Sequence, residues 1–234
     1  MNSTDTPGLR STSRSQPTPG KRRIFLVEDH PVTREGFAQL INYQADLQVC
    51  GQAGTAAKAF VGIDVLRPDL VIVDLSLAES SGLELIKDLK TRYPSLPSLV
   101  LSTHDESLYA ERALRAGARG YVMKQAPTAE VMNAIRVVLG GELYLSEIMR
   151  TKMVHKQLQG QHAPKARGVE SLTDRELEVF DLIGRGHPTA SVAAKLHLSV
   201  STVETHRAHI KEKLRLAHAT ELVRHAVEWV NRRP

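Results

Sequence analysis

Leu70-Val71-Ile72-Val73-Asp74 is the stretch from which the rest of this chain can be read. An unbroken apolar run rich in β-branched residues fits a strand buried on both faces, as parallel sheets require. Asp74 then sets a carboxylate where such a strand runs out. Two other stretches repeat the pattern: Ile24-Phe25-Leu26-Val27 leads into Glu28-Asp29, and Gly120-Tyr121-Val122-Met123 leads into Lys124. In a parallel sheet the C-terminal ends of the strands share one edge, the edge at which open α/β sheets bind ligands. Carboxylates crowded there repel one another unless a cation or a proton compensates them. The set suits Mg²⁺ and a phosphoryl group better than it suits a passive surface.

Working outward, strand-like runs also occur at 47–51 and 98–102, and helical stretches fall between them at 34–44, 55–66, 81–91, 106–116 and 127–139. Five βα repeats predict an α/β domain, a five-stranded parallel sheet covered on both faces. Pro68 and Pro97 sit just before strands, and Gly117 and Gly120 mark the last turn before the fifth.

After Gly140-Gly141 the pattern changes. Residues 142–169 hold a helical stretch around 144–159 and then the polar run QGQHAPKARG, so we read a linker over 141–169. Four short helices follow at 173–185, 189–196, 201–215 and 219–230, a small all-α bundle spanning 170–234. Thr173 and Glu176 have the spacing of a capping box, and Leu177, Phe180 and Ile183 make an apolar stripe behind it. Val192-Ala193 and Leu196 supply a supporting helix, and Ser199 or Ser201 opens the next. There Val203, Ile210 and Leu214 face the core, leaving basic and polar side chains free to approach DNA. The first 22 residues, rich in Ser and Thr with no apolar core, read as a disordered tail rather than a signal peptide. That leaves 23–140 for the α/β domain.

The bulk numbers exclude more than they specify. Lys and Arg total 31 against 26 acidic residues, a formal charge of +5 that permits a polyanion partner without requiring one. No run approaches the roughly 18 apolar residues of a membrane span. Cys50 is the sole cysteine, read as a small buried side chain, and one cysteine forms neither an internal disulfide nor a Cys-rich metal site. A soluble cytoplasmic protein without a membrane partner is the expectation.

Within the acidic group, Asp74 is the expected phosphoryl acceptor, its carboxylate acting as nucleophile. Asp29 would bind Mg²⁺ directly, Asp74 would share the ion, the Ser76 backbone carbonyl would add a hard oxygen, and Glu28 would reach it through water. Lys124 would neutralise developing phosphate charge and Ser102 would hydrogen-bond a phosphoryl oxygen. Plainer roles compete: Ser102 as a helix N-cap, Tyr121 as core, and Lys211, Lys213 and Arg215 as solvated charge. His206 and His209 are candidates for packing or capping.

Residues 23–139 closely resemble a response-regulator receiver domain, a flavodoxin-like fold, through Glu28-Asp29, Asp74, Gly82, Ser102, Tyr121 and Lys124. The resemblance implies phosphoryl transfer from a partner histidine kinase, self-dephosphorylation rather than metabolic catalysis, and a switch in which Ser102 and Tyr121 respond to phosphate. Residues 171–230 resemble the LuxR/NarL-type helix-turn-helix domain through LTDRELEVFDLI, Gly186, VAAKLHLS, STVETHRAHI and KEKL. This second resemblance makes 201–214 the recognition helix. Ser201, Thr202, Glu204, Thr205, Arg207, Ala208 and Lys211 become its DNA-facing candidates, with Thr202, Thr205 and Arg207 foremost. It also implies double-stranded promoter DNA, a homodimer, and RNA polymerase as a further partner.

The chain departs from these families at Leu77-Ala78, where Met-Pro is frequent, and at Gln125, where proline is common. Glu204 and Ala208 replace more basic or polar residues, and His187-Pro188-Thr189-Ala190 replaces a polar approach. A phosphorylation-controlled transcription regulator is the leading expectation. A regulator that binds DNA without phosphorylation is the second, and a protein-only adaptor whose reader has lost DNA binding is the third.

Overall fold

The computed structural model describes residues 20–77, 81–158 and 168–231. Most of the tail, the linker residues 159–167 and Ala78 lie outside them. Five parallel strands, β1 (Arg22–Val27), β2 (Leu47–Ala53), β3 (Leu70–Val73), β4 (Ser98–Ser102) and β5 (Tyr121–Met123), form one sheet in the order β2-β1-β3-β4-β5. Five helices alternate with them: α1 (Pro31–Asn42), α2 (Ala56–Leu66), α3 (Gly82–Arg92), α4 (Glu106–Ala116) and α5 (Thr128–Leu139). The expected five-stranded parallel sheet is therefore present. The chain winds from β1 outward to β2, then returns past β1 to β3. This reversal opens a crevice at the C-terminal ends of β1 and β3, where Glu28-Asp29 and Asp74 emerge.

Alternation along the strands divides the core into two layers. Phe25, Val27, Val71 and Val73 pack on one side with residues of α2, α3 and α4, while Ile24, Leu26, Leu70 and Ile72 pack on the other with α1 and α5. Each large apolar side chain buried this way contributes roughly 1.5–3 kcal/mol. Helix α1 begins three residues earlier than its periodicity predicts because Pro31 takes the first helical turn, where proline's missing N–H costs nothing. Cys50 corrects another expectation: it is only half-buried, because β2 is an edge strand.

The first part of the expected linker joins the α/β domain. Tyr144 bridges to Gly120, its hydroxyl donates to Glu130 at 2.8 Å, and α6 (Glu147–Leu158) follows. Met149 of α6 is buried and the Lys152 ammonium donates to the Ser107 carbonyl of α4 at 2.6 Å. Tyr144 and Met149 are the apolar anchors that hold this segment in place.

After a 3-10 turn at Gly168–Ser171 come α7 (Asp174–Gly184), α8 (Thr189–Lys195), α9 (Val200–Leu214) and α10 (Ala219–Asn231). The Thr173–Glu176 capping box forms in both directions, and Leu177, Phe180, Val192, Val203, Ile210, Leu222 and Ala226 build the core. Gly184 lets α7 and α10 meet, since a Cβ there would lie 2.4 Å from the Ala226 carbonyl oxygen.

The two domains touch. The Ser81 hydroxyl donates to Glu178 Oε1 at 3.1 Å, and Asp174 pairs with Lys87 at 3.1 Å and Arg112 at 3.0 Å. Arg112 also donates to the Leu172 carbonyl at 2.8 Å. Asp174 and Glu178 lie one helical turn apart, so a single face of α7 supplies both contacts.

Candidate acidic site and reading helix

Asp74 leaves β3 with its side chain only 2% exposed, and Glu28, following β1, is nearly as buried. Lys124, following β5, reaches between them, its ammonium 2.5 Å from Glu28 Oε2 and 2.8 Å from Asp74 Oδ2. Burial alone would pull the Lys124 pKa down, but the paired carboxylates outweigh it and hold the pKa above the ordinary lysine value. One oxygen of Asp74, Oδ1, is buried without a hydrogen-bond partner among the described residues. A buried carboxylate oxygen left this way is costly, and a cation answers it.

Glu28, Asp29, His30 and Asp74 each bring a ligand atom to within 4.8 Å of one another. This cluster can coordinate a divalent metal, and its three carboxylates are the hard oxygen donors that suit Mg²⁺. His30 was missed by the sequence reading although it directly follows Asp29; its Nδ1 lies 2.8 Å from Asp29 Oδ1. Ser76, assigned a backbone carbonyl role, also engages through its hydroxyl, 3.0 Å from His104 Nε2.

Ser102 is fully buried, and its hydroxyl accepts from the His104 N–H at 3.2 Å. Asp105, not Ser102, caps α4, accepting from the Ser107 N–H. Tyr121 is inward and buried, and its hydroxyl donates to the His104 carbonyl at 2.7 Å. Burial pushes the Tyr121 phenol pKa well above its ordinary value, and the nearby Asp74 charge adds to this. His104 thus connects Ser76, Ser102 and Tyr121. The sequence signal for it was slight, a histidine two positions after Ser102.

On α9, Ser201, Glu204, Thr205 and Ala208 are exposed while Thr202, Arg207 and Lys211 are half-buried. Arg207 Nε lies 3.5 Å from Glu204 Oε2 and Nη1 donates to Thr189 Oγ1 at 3.3 Å, while the Thr189 hydroxyl donates to Glu204 at 2.9 Å. The two departures at Thr189 and Glu204 therefore bind each other and Arg207. Lys213 pairs with Glu176 at 2.6 Å, tying α9 to the capping box. His206 is half-buried, and burial together with the Arg175 charge lowers its pKa.

Residues 24–136 match the response regulator receiver domain, and residues 170–226 match the bacterial regulatory proteins of the luxR family. The oxygen regulatory protein NreC of Staphylococcus carnosus is 35% identical over 210 residues, covering 88% of this chain and 97% of the relative. The NreC protein of Staphylococcus aureus strain JH9 is 34% identical over the same span. Among solved structures, a LuxR-family two-component response regulator from Aurantimonas is 31% identical with a TM-score of 0.56, covering 59% of this chain and 99% of that one. The RcsB response regulator of Salmonella typhimurium, 21% identical with a TM-score of 0.65 over 89% of this chain and 98% of that one, shares the fold.

A receiver sheet with an acidic edge, joined to a small helical reader, defines a two-component response regulator. This chain belongs to the NarL/LuxR family of such regulators, with a receiver followed by a helix-turn-helix domain. That architecture is consistent with a phosphorylation-regulated, DNA-binding transcription regulator. Among the described residues no helix is long and apolar enough to cross a membrane.

Proposed function

We propose that this protein is a transcription regulator switched by phosphoryl transfer from a histidine kinase to Asp74. The observation that carries the reading is the Lys124 ammonium held at once by Glu28 and Asp74 at the C-terminal edge of the sheet. In the transfer an Asp74 carboxylate oxygen attacks phosphorus as the bond to the donor's histidine nitrogen breaks, the bonding pair leaving with the imidazole. Mg²⁺ held by Asp29, Asp74 and the Ser76 carbonyl, with Glu28 through water, would supply positive charge to the phosphoryl oxygens. Lys124 supplies a second, fixed charge. The Ser102 hydroxyl, turning toward a phosphoryl oxygen, would cease to accept from the His104 N–H and so disturb the His104 carbonyl that holds Tyr121.

The reader would bind duplex DNA through α9, and phosphorylation would favour a homodimer on paired half-sites. The test is mass measurement of the intact protein after kinase or phosphodonor treatment, paired with genome-wide occupancy. An adduct in the wild type and none in Asp74→Asn is expected, with promoter occupancy that falls in the variant. An equal adduct in both would reject Asp74 as acceptor.

A second reading, DNA binding without phosphorylation, has one observation in its favour. Ser201, Glu204, Thr205 and Ala208 are exposed while the two domains are in contact, so the face that would meet DNA is not covered by the receiver. Occupancy undiminished in Asp74→Asn would establish that reading instead.

A further inference from the structure

At the opposite edge of the receiver sheet from Asp74 lies a cavity of about 380 Å³, and three cations line it. Arg22 opens β1, Arg119 stands just before β5, and Lys90 reaches in from the last turn of α3. Because the strands are parallel, this edge gathers their N-terminal ends. It is a strand's length from the acidic site, about 10–20 Å at roughly 3.3 Å per residue. We propose that the cavity binds a small organic phosphate monoester, its phosphate held by Arg22, Lys90 and Arg119. The inference goes beyond the reading of Asp74 as acceptor and does not rest on it.

The one carboxylate lining the cavity among the described residues, Asp69, is already engaged. Its Oδ2 accepts from the Arg23 N–H at 2.7 Å, and Arg22 Nε lies 3.8 Å away, at the limit of an ion pair. Lys90 and Arg119 have no carboxylate within ion-pairing distance among the described residues. A plainer partner for cations here is the partial negative charge of helix C-termini, since α3, α4 and α5 end at this edge. It accounts for Lys90 at most. Arg22 and Arg119 lie outside the helices, and the Lys90 ammonium meets the Pro94 carbonyl at 3.4 Å, long for a charged donor. Lys90 is nevertheless held in place. A Cβ on Gly117, whose φ is +119°, would lie 2.9 Å from the Lys90 Cβ and Cγ, so the lysine stem packs on the glycine backbone.

The chemistry of the walls selects the guest. Guanidinium groups bind phosphate oxygens through paired N–H donors, and an ammonium adds a point charge. A bare anion would need nothing more, but Leu96, Pro97 and Leu139 form a half-buried apolar wall beside the cations. That wall suits a short organic group carried on the phosphate, and the volume is that of a small-molecule pocket. Bound there, the ester would tie the start of β1 to the turns before β4 and β5 and to the end of α5.

The test titrates the full-length protein, without Mg²⁺, with phenyl phosphate and with inorganic phosphate, following backbone amides by NMR. Shifts should centre on Ser95, Leu96, Arg119 and Gly141, with the ester the tighter ligand. Lys90→Gln combined with Arg119→Gln should weaken the ester by about 2- to 30-fold, the loss of two partly exposed charge contacts. Asp69→Asn, which removes the lining carboxylate, should tighten it and keeps the test independent of the double variant's fold. Arg92→Gln, at the end of the same helix but outside the lining, should leave affinity unchanged. The proposal is overturned by no saturable shift in the wild type, or by shifts confined to the reader or the acidic edge. An equal loss in Arg92→Gln, no gain in Asp69→Asn, or inorganic phosphate binding as tightly as the ester would each overturn it too. None of these outcomes bears on phosphoryl transfer to Asp74.

Discussion

The Ser81 hydroxyl donates to Glu178 Oε1 at 3.1 Å across a buried boundary, so the start of α3 is joined to α7 of the reader. Ser81 precedes α3, whose first residue, Gly82, packs directly on the Asp74 backbone. A displacement at Asp74 therefore has a short route to the reader, through the Gly82 contact and the Ser81–Glu178 hydrogen bond.

Burial raises the Glu178 carboxyl pKa, against the opposing pull of Arg175 and Ser81. The folded state holds this proton more tightly than the unfolded chain does. The stabilisation is therefore fully present below the ordinary value of 4.5 and is lost as pH rises through the raised folded value. Unfolding measured across this range should show that contribution fading, and Glu178→Gln should remove it. An identical pH profile in Glu178→Gln would mean that Glu178 does not titrate in this way.

Gly82 offers a steric test. A Cβ there would stand 2.2 Å from the Asp74 carbonyl oxygen and 2.6 Å from the Leu75 Cα, and both obstacles are backbone. Neither can move aside as a flexible side chain would. Gly82→Ala should destabilise the receiver by about 1–3 kcal/mol, as overpacking does, and should displace Asp74. Urea unfolding gives the first quantity and the phosphorylation rate the second. Wild-type stability in this variant would contradict the close packing.

Much of this was legible in the sequence because it rests on periodicity and strand ends. Leu70–Val73 is buried all along its length, which is why an unbroken apolar run sufficed to place Asp74. The capping box at Thr173 was equally local. What was not legible depends on contacts between distant residues. Nothing near Glu178 in the chain announces Ser81, which is 97 positions away, and nothing near Glu204 announces Thr189. Cys50 was misjudged because an apolar-looking strand does not declare whether it lies at the sheet's edge. His30 and His104 carry no periodic signal; His30 follows Asp29 directly, but only folding brings His104 beside Ser76 and Tyr121.

Arg136 and Asp46 make a second pH-sensitive pair, between the last turn of α5 and the residue before β2. Two guanidinium nitrogens lie 2.8 Å from the two Asp46 oxygens, and this hydrogen bonding lowers the Asp46 pKa from 3.8 to about 2. The folded value is depressed, so the stabilisation is present above 3.8 and is lost as pH falls through about 2. Both side chains are about half exposed, so solvent screening should hold the gain within about 1 kcal/mol. Arg136→Gln should return the Asp46 carboxyl toward 3.8, which NMR titration would show. A carboxyl still at about 2 in that variant would rule out Arg136 as the cause.

The Glu204–Arg207 pair makes the DNA prediction a coupled one. Arg207, foremost among the contacts expected from sequence, shares Thr189 with Glu204 and lies 3.5 Å from its carboxylate. Glu204→Ala removes a negative charge from the exposed face and frees the guanidinium, so affinity should rise across sequences, by about 0.2–1 kcal/mol. Arg207→Ala should lower affinity, by about 1–3 kcal/mol at a single base position if it reads guanine, or evenly across sequences if it holds a phosphate. Its effect should be larger with Glu204 present, because the abandoned carboxylate then faces the DNA phosphates unneutralised. The two substitutions should therefore fail to add, with a coupling of about 0.5 kcal/mol or more. Titrations of the mapped site, its single-base variants and several salt concentrations measure every arm of this cycle. Strict additivity would mean the pair does not act as a unit on DNA, and full affinity and specificity after Arg207→Ala with Thr205→Ala would place the reading surface elsewhere.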